Sequence, residues 1–114
     1  MTSLKNVIEK LKLEPLTSIP SHARVVGSGY ASDLLSCVIK GAKKDTIWVT
    51  LQSHLNVVAV ASLLGLAGVI ITEGNQPDQE TLAKAENEGV ALMTTSKTTF
   101  TVVGELTSLG IKGE

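Results

Sequence analysis

Apolar positions along this chain fall into two alternating patterns. Short apolar runs predict strands over residues 24–26, 46–51, 69–72 and 90–93. Apolar residues at helical spacing predict helices over residues 32–41, 55–66, 77–89 and 96–110. Strands that alternate with helices of about ten residues indicate βαβ units. The sequence therefore predicts a three-layer α/β/α fold with a mostly parallel sheet, whose central strands hold Val25, Val49, Ile70 and Leu92.

The first 23 residues follow a different pattern. Ser3 can cap a short helix, whose apolar positions are Leu4, Val7, Ile8 and Leu11. Residues 13–23 include Pro15 and Pro20, which predict a connector with at most an edge strand, because proline cannot donate to a sheet ladder. We expect one domain over residues 1–114, in which residues 1–23 form the N-terminal helix and connector.

Composition narrows the classes of partner. The chain has 114 residues, a net charge of −1 and three aromatic residues, so we expect no nucleic-acid partner. The apolar run at 55–66 is too short to span a bilayer, so we expect no membrane partner either. The single cysteine, Cys37, excludes an internal disulfide, and no signal peptide is recognisable, which together favour the cytoplasm.

Small polar residues follow the predicted strands. The four strand-to-helix junctions are Gly27-Ser28-Gly29-Tyr30, Gln52-Ser53-His54, Thr72-Glu73-Gly74-Asn75 and Thr94-Thr95-Ser96. Ligands of open α/β sheets bind beyond the carboxyl ends of the strands, where helix N-termini attract anions. The same residue types also cap helices without binding anything. Under the ligand-binding hypothesis, one continuous pocket is lined by Ser28, Gly29, Ser53, His54, Thr72, Glu73, Gly74 and Thr95.

No motif at these junctions specifies a reaction. The Gly27-Ser28-Gly29 turn lacks the third glycine of a dinucleotide fingerprint, and the chain has no phosphate loop. His54 could act as a base with Glu73, but a capping or pocket-wall role is favoured for it. His54 and His22 do not stand at metal-ligand spacing with other ligands, so we expect no metal, no cofactor and no catalytic residues. Cys37 is predicted to point inward as a small apolar residue.

The helix predicted over 55–66 has almost no polar face. A helix that is apolar all round must be covered on every side, and a partner subunit is the simplest cover. A two-fold homodimer is therefore expected, with Val58, Ser62 and Leu66 as candidate interface residues and the last helix nearby.

Three segments resemble the DRTGG domain family in its short stand-alone form. They read "GSGYASDLLSCVI", "WVTLQSHLNVVAVASLLGLAGVIITEG" and "PDQETLAKAENEGVALMTTSKTTFTVVGEL", and the likeness spans about residues 12–111. The family pattern places an Asp-Arg pair after one strand and Thr-Gly-Gly after the next. This chain departs from both, because it has Ser53-His54 at the first position and Thr72-Glu73-Gly74 at the second.

The resemblance implies a fold similar to the N-terminal domain of HPr kinase/phosphorylase and a regulatory or assembly role, as in relatives that carry CBS-domain pairs. The leading hypothesis is a non-catalytic regulatory or sensory domain that binds a small metabolite, with an anion as one candidate, at the carboxyl edge of the sheet. One alternative is an assembly protein with no ligand. The other is a small enzyme that uses His54 and Glu73.

Overall fold

The computed structural model describes residues 2–19 and 24–113. Its helices are α1 (Leu4–Leu11), α2 (Leu35–Gly41), α3 (Leu55–Leu64), α4 (Gln79–Glu88) and α5 (Thr99–Ser108). Its strands are β1 (Thr2–Ser3), β2 (Glu14–Pro15), β3 (Val25–Val26), β4 (Ser28–Ala31), β5 (Thr46–Thr50), β6 (Gly68–Ile71) and β7 (Leu92–Thr94). Pro20 and His22 of the predicted connector lie outside the described residues.

The main sheet has the strand order β2-β7-β6-β5-β4. The pairs β4–β5, β5–β6 and β6–β7 are parallel, while β2 pairs antiparallel with β7. The predicted α/β fold with a mostly parallel sheet is therefore confirmed, and Pro15 lies in an edge strand as expected. Strands β1 and β3 form a separate antiparallel pair.

Two apolar cores lie on the two faces of the sheet, because successive strand residues point to opposite faces. On one face, Ile47, Val49, Ile70 and Met93 pack with residues of α1 and α5. On the other face, Trp48, Val69, Ile71 and Leu92 pack with residues of α2, α3 and α4. The three-layer arrangement follows directly. None of the helices in residues 2–19 and 24–113 has the length and apolar character needed to cross a bilayer.

The predicted placement of Val25 on a central strand is wrong. Val25 lies in β3, pairs with Ser3 of β1 and is 37% exposed. The first parallel strand of the main sheet is instead β4, whose sequence Ser-Gly-Tyr-Ala contains no apolar run. Val49, Ile70 and Leu92 do lie on β5, β6 and β7.

A prediction about side-chain direction is also wrong. The thiol-bearing Cys37 is exposed, because Val38 is the residue of α2 that points into the core. In α5 the buried residues are Val102 and Leu106, while Phe100 is 89% exposed. Both helices are short, so a single exposed apolar residue is enough to change which face the apolar spacing predicts to be buried.

Candidate functional site

Three of the four predicted junctions lie at the carboxyl edge of the sheet. Gln52-Ser53-His54 follows β5, Thr72-Glu73-Gly74-Asn75 follows β6, and Thr95-Ser96 follows β7. The structure thus brings Ser53, His54, Thr72, Glu73, Gly74 and Thr95 to one edge, as predicted. Whether they bind a ligand stays a prediction.

Ser28 and Gly29 lie at the opposite edge, so the prediction of one continuous pocket is wrong. Ser28 starts β4 and pairs with Thr46, the first residue of β5. Its hydroxyl lies 2.8 Å from the Thr46 hydroxyl and is buried with it. Because the strands are parallel, both residues sit at the amino end of the sheet. The junction that does follow β4 is Ser32-Asp33, which sequence reasoning assigned only to the start of a helix.

Asp33 organises the junction after β5. Its carboxylate accepts hydrogen bonds from the Thr50 hydroxyl at 2.8 Å and from the Leu51 N–H at 2.9 Å. The Gln52 side-chain amide donates to the Asp33 carbonyl at 3.2 Å. This network fixes the turn that leads into α3. The only sign of it in the sequence was the acidic residue Asp33 at the start of a predicted helix.

His54 is the N-cap of α3. Its Nδ1 accepts the Asn56 N–H at 3.1 Å, so this nitrogen must carry a lone pair. The residue is exposed and lines a cleft of about 200 Å³ together with Leu35, Gln52, Asn56 and Val57. The capping role that sequence reasoning favoured for His54 is therefore observed.

Glu73 and Thr72 join the loop after β6 to the start of α5. The Glu73 carboxylate accepts the Thr99 N–H at 3.2 Å, and the Thr72 and Thr99 hydroxyls lie 2.7 Å apart. The Glu73 N–H donates to the Lys97 carbonyl at 2.9 Å. The carboxylate thereby occupies a helix N-terminus where an external anion would otherwise be attracted.

A larger cleft of about 340 Å³ opens beyond β6 and β7. Its lining residues are Lys12, Glu14, Gly74, Gln76, Thr94, Thr95, Ser96 and Lys97. Of the predicted site residues it includes Gly74 and Thr95. It also includes two lysines that sequence reasoning missed, because their approach depends on how the N-terminal segment folds back onto β7.

The two lysines of this cleft differ in their contacts. The Lys97 ammonium donates to the Leu11 carbonyl at 3.0 Å and pairs with the Glu105 carboxylate at 2.8 Å. Lys12 is the C-cap of α1, with a left-handed backbone at φ 55°, and it is exposed. Among the described residues, none pairs with its ammonium group. Lys12 is thus the cation of this cleft that can bind a ligand without losing a partner.

A third cleft of about 150 Å³ lies between β4 and α5. Gly29 and Tyr30 line it with Val49, Val103 and Leu106. The predicted site residues are therefore distributed over separate clefts. Within residues 2–19 and 24–113, no group of three or more metal-binding side chains lies together.

Comparisons with known proteins agree with this architecture. The sequence model of the DRTGG domain family matches residues 31–109. No curated protein sequence matches the chain. A solved structure with a similar fold is described as the CBS and DRTGG domains of the regulatory region of Clostridium perfringens pyrophosphatase, complexed with the activator diadenosine tetraphosphate. It superposes with a TM-score of 0.77 at 19% identity, over 92% of this chain and 46% of that one. The present chain thus spans about half the length of the chain in that structure.

Proposed function

Because this chain belongs to the DRTGG domain family, we propose that it is a regulatory domain that binds a small anionic metabolite in the cleft beyond β6 and β7. The observation that carries the proposal is that Lys12, an exposed residue whose ammonium has no partner among the described residues, lines that cleft. The similar solved structure is itself a regulatory region with a bound nucleotide activator, which supports this class of role.

The chemistry of the cleft suits an anion of modest size. Its volume lies at the lower end of the range for small-molecule sites. Lys12 and Lys97 outnumber the single carboxylate, Glu14, and Ser96 and Gln76 add uncharged donors. The Glu105 carboxylate already neutralises Lys97, so the attraction depends mainly on Lys12. A phosphorylated metabolite or a nucleotide phosphate fits this set of groups.

Isothermal titration calorimetry tests the ligand class directly. The probes are inorganic phosphate, AMP, ATP and diadenosine tetraphosphate. We expect Lys12→Ala to weaken binding of the best probe by about tenfold to a hundredfold, since a charge-assisted hydrogen bond contributes about 1.5–3 kcal/mol. Lys5→Ala is the matched control, because Lys5 is an exposed lysine on the first turn of α1 outside the cleft.

Two results would contradict the anion proposal. One is the absence of heat with every probe at millimolar concentration, which would favour an assembly domain without a ligand. The other is binding that Lys12→Ala and Lys5→Ala leave equally strong, which would place the ligand elsewhere.

A non-catalytic role is part of the same proposal. His54 Nδ1 caps α3 and the Glu73 carboxylate binds the start of α5, so both groups already have structural partners. Turnover of a phosphorylated compound that His54→Ala abolishes, with the fold intact by circular dichroism, would establish the enzyme alternative instead.

We also infer a homodimer in the cytoplasm. The support for association is the helix layer formed by α2, α3 and α4, which leaves Leu63 of α3 74% exposed. The support for the compartment is the lone Cys37, which cannot form a disulfide within the chain.

A further inference from the structure

The outer surface of α3 is uncharged, and its exposed residues are Asn56, Ala59, Ser62 and Leu63. The helix contains no acidic or basic residue, and Ala59 and Leu63 point away from the core. The neighbouring α2 region adds Leu34, which is 60% exposed, and Ile39, which is 47% exposed. Val58 and Leu66 are instead 0% and 8% exposed, so their predicted place in a dimer interface is wrong. The predicted proximity of the last helix is wrong as well, since α5 packs on the other face of the sheet.

Charges of opposite sign flank this uncharged strip. On the α2 side, residues 33–45 include Lys40, Lys43 and Lys44. The two acids of this segment already have partners, since Asp33 accepts from Thr50 and Asp45 pairs with Arg24. On the α4 side, Asp78 and the helix together contain four acids and one lysine. The helix layer is therefore basic along one flank, uncharged in the middle and acidic along the other flank.

Two of these charges lie at the same end of α3. Lys44 lies against Gly65, the C-cap of α3. The Glu88 carboxylate accepts a hydrogen bond from the Ser62 hydroxyl at 3.1 Å. Both groups thus lie at the last turn of α3.

We propose that a second copy of this chain docks on the helix layer with its two-fold axis parallel to α3. Rotation about this axis exchanges the two flanks but keeps the ends of the helix in place. Lys44 then faces Glu88 of the second copy, and the reverse pair forms symmetrically. Leu63 of each copy lies near the axis, where the uncharged strips meet.

The charge pattern selects this axis among the possible ones. A two-fold axis in the interface but perpendicular to α3 would place the α2 flank on itself. Three lysines of one copy would then face three lysines of the other, and like charges in contact disfavour association. This inference rests on the homodimer proposed above. It specifies the surface through which the two copies dock and the direction of their two-fold axis.

Analytical ultracentrifugation at tens of micromolar tests the surface. We expect a wild-type dimer, and a dissociation constant raised about tenfold or more by Leu63→Glu, because the substitution places a charge against a dry surface. Phe100→Glu is the matched control, since Phe100 is 89% exposed but lies on α5, on the other side of the sheet. It should leave the dimer unchanged.

A mixing experiment tests the symmetry. Glu88→Lys and Lys44→Glu should each weaken self-association about fivefold at low ionic strength, in line with exposed ion pairs. When the two variants are mixed, each Lys44–Glu88 contact is again between opposite charges. The mixture should therefore form heterodimers with nearly wild-type affinity.

The outcomes separate the two proposals. A wild-type monomer would overturn the homodimer and this inference together. A wild-type dimer that Leu63→Glu leaves intact would overturn the docking surface alone. Sensitivity to Leu63→Glu without preferential heterodimer formation would overturn the axis parallel to α3.

Discussion

Glu73 holds a backbone conformation that side chains other than glycine seldom adopt. Its φ is 65°, and the neighbouring Gly74 also has a left-handed backbone at φ 75°. The turn is held by two hydrogen bonds, from the Glu73 N–H to the Lys97 carbonyl and from the Gly74 N–H to the Thr95 carbonyl. The loop after β6 therefore requires two successive left-handed residues.

This geometry explains the family pattern at the same position. The resemblance places Thr-Gly-Gly here, and glycine adopts the left-handed conformation without steric cost. In this chain the first of these glycines is replaced by Glu73, whose carboxylate binds the Thr99 N–H. Glutamate at this position therefore adopts the left-handed backbone less readily than glycine, but it places a carboxylate at the start of α5.

Two substitutions at Glu73 separate these effects. Glu73→Ala removes the carboxylate but keeps the strained backbone, whereas Glu73→Gly removes both. We expect the glycine variant to be more stable than the alanine variant by about 1 kcal/mol. Urea unfolding at pH 7 measures the difference. Equal stabilities, or a more stable alanine variant, would show that the loop changes conformation when the carboxylate is lost.

Among the site residues, the sequence predicted those that follow apolar strands and missed those brought in by distant pairing. Thr95 follows the run at 90–93 and lies at the predicted edge. Lys12 reaches the same cleft only because β2 pairs with β7, placing Glu14 opposite Thr94. A two-residue edge strand containing proline leaves almost no local pattern, so this contact could not be read from the sequence.

Two carboxyl groups of the α4 region, those of Asp78 and Glu86, have lowered pKa values. Asp78 caps α4, and its pKa lies below the ordinary value of 3.8 chiefly because the Thr81 N–H and hydroxyl bond to the carboxylate. Glu86 on the same helix accepts hydrogen bonds from the Ser18 hydroxyl and N–H, and its pKa lies below 4.5 for that reason. Both carboxyl groups accept stronger hydrogen bonds from these partners when they are ionised.

The stability of the domain should therefore fall as acid is added. A carboxyl group whose pKa is lower in the folded state stabilises the fold above its unfolded pKa, and this contribution is lost as pH falls through the folded pKa. We expect urea midpoints to drop between about pH 5 and about pH 3. Asp78→Asn with Glu86→Gln should flatten that drop, because asparagine still caps a helix and neither amide titrates. An unchanged pH dependence in the double variant would assign the drop to other carboxylates.

At the level of elements, apolar runs predicted β5, β6 and β7 but not β4. The run at 24–26 does form a strand, yet it pairs with β1 rather than with the main sheet. The strand that does join the sheet next to β5 is the edge strand Ser28–Ala31, whose sequence is Ser-Gly-Tyr-Ala. An edge strand needs few apolar side chains. The place of β4 in the sheet depends on its pairing with β5, which the local sequence pattern does not reveal.

Across the whole molecule, α1 is part of one of the two cores although the family match begins only at residue 31. Leu4, Val7 and Leu11 are 1%, 0% and 2% exposed and pack in the core that contains Val102 and Leu106 of α5. The N-terminal helix is therefore an integral layer of the fold.

Leu11→Ala tests this role. Removing a fully buried leucine side chain costs about 2–5 kcal/mol, so we expect a corresponding loss in the free energy of unfolding. Lys10→Ala, one residue earlier and exposed, should change it by less than about 0.5 kcal/mol. Urea unfolding compares the two variants. A loss as small as that of Lys10→Ala would mean that α1 detaches without disturbing the core.

The two edges of the sheet have a consequence for behaviour at high concentration. One edge is β2, only two residues long and ending in Pro15. At the other edge, the outward Gly29 N–H of β4 is already bound by the Lys112 carbonyl at 2.9 Å. Short, proline-bearing or occupied edges give an incoming strand few free groups to pair with, and strand addition is the step by which sheets grow into fibrils. A protein built this way is suited to remain dispersed when it is abundant.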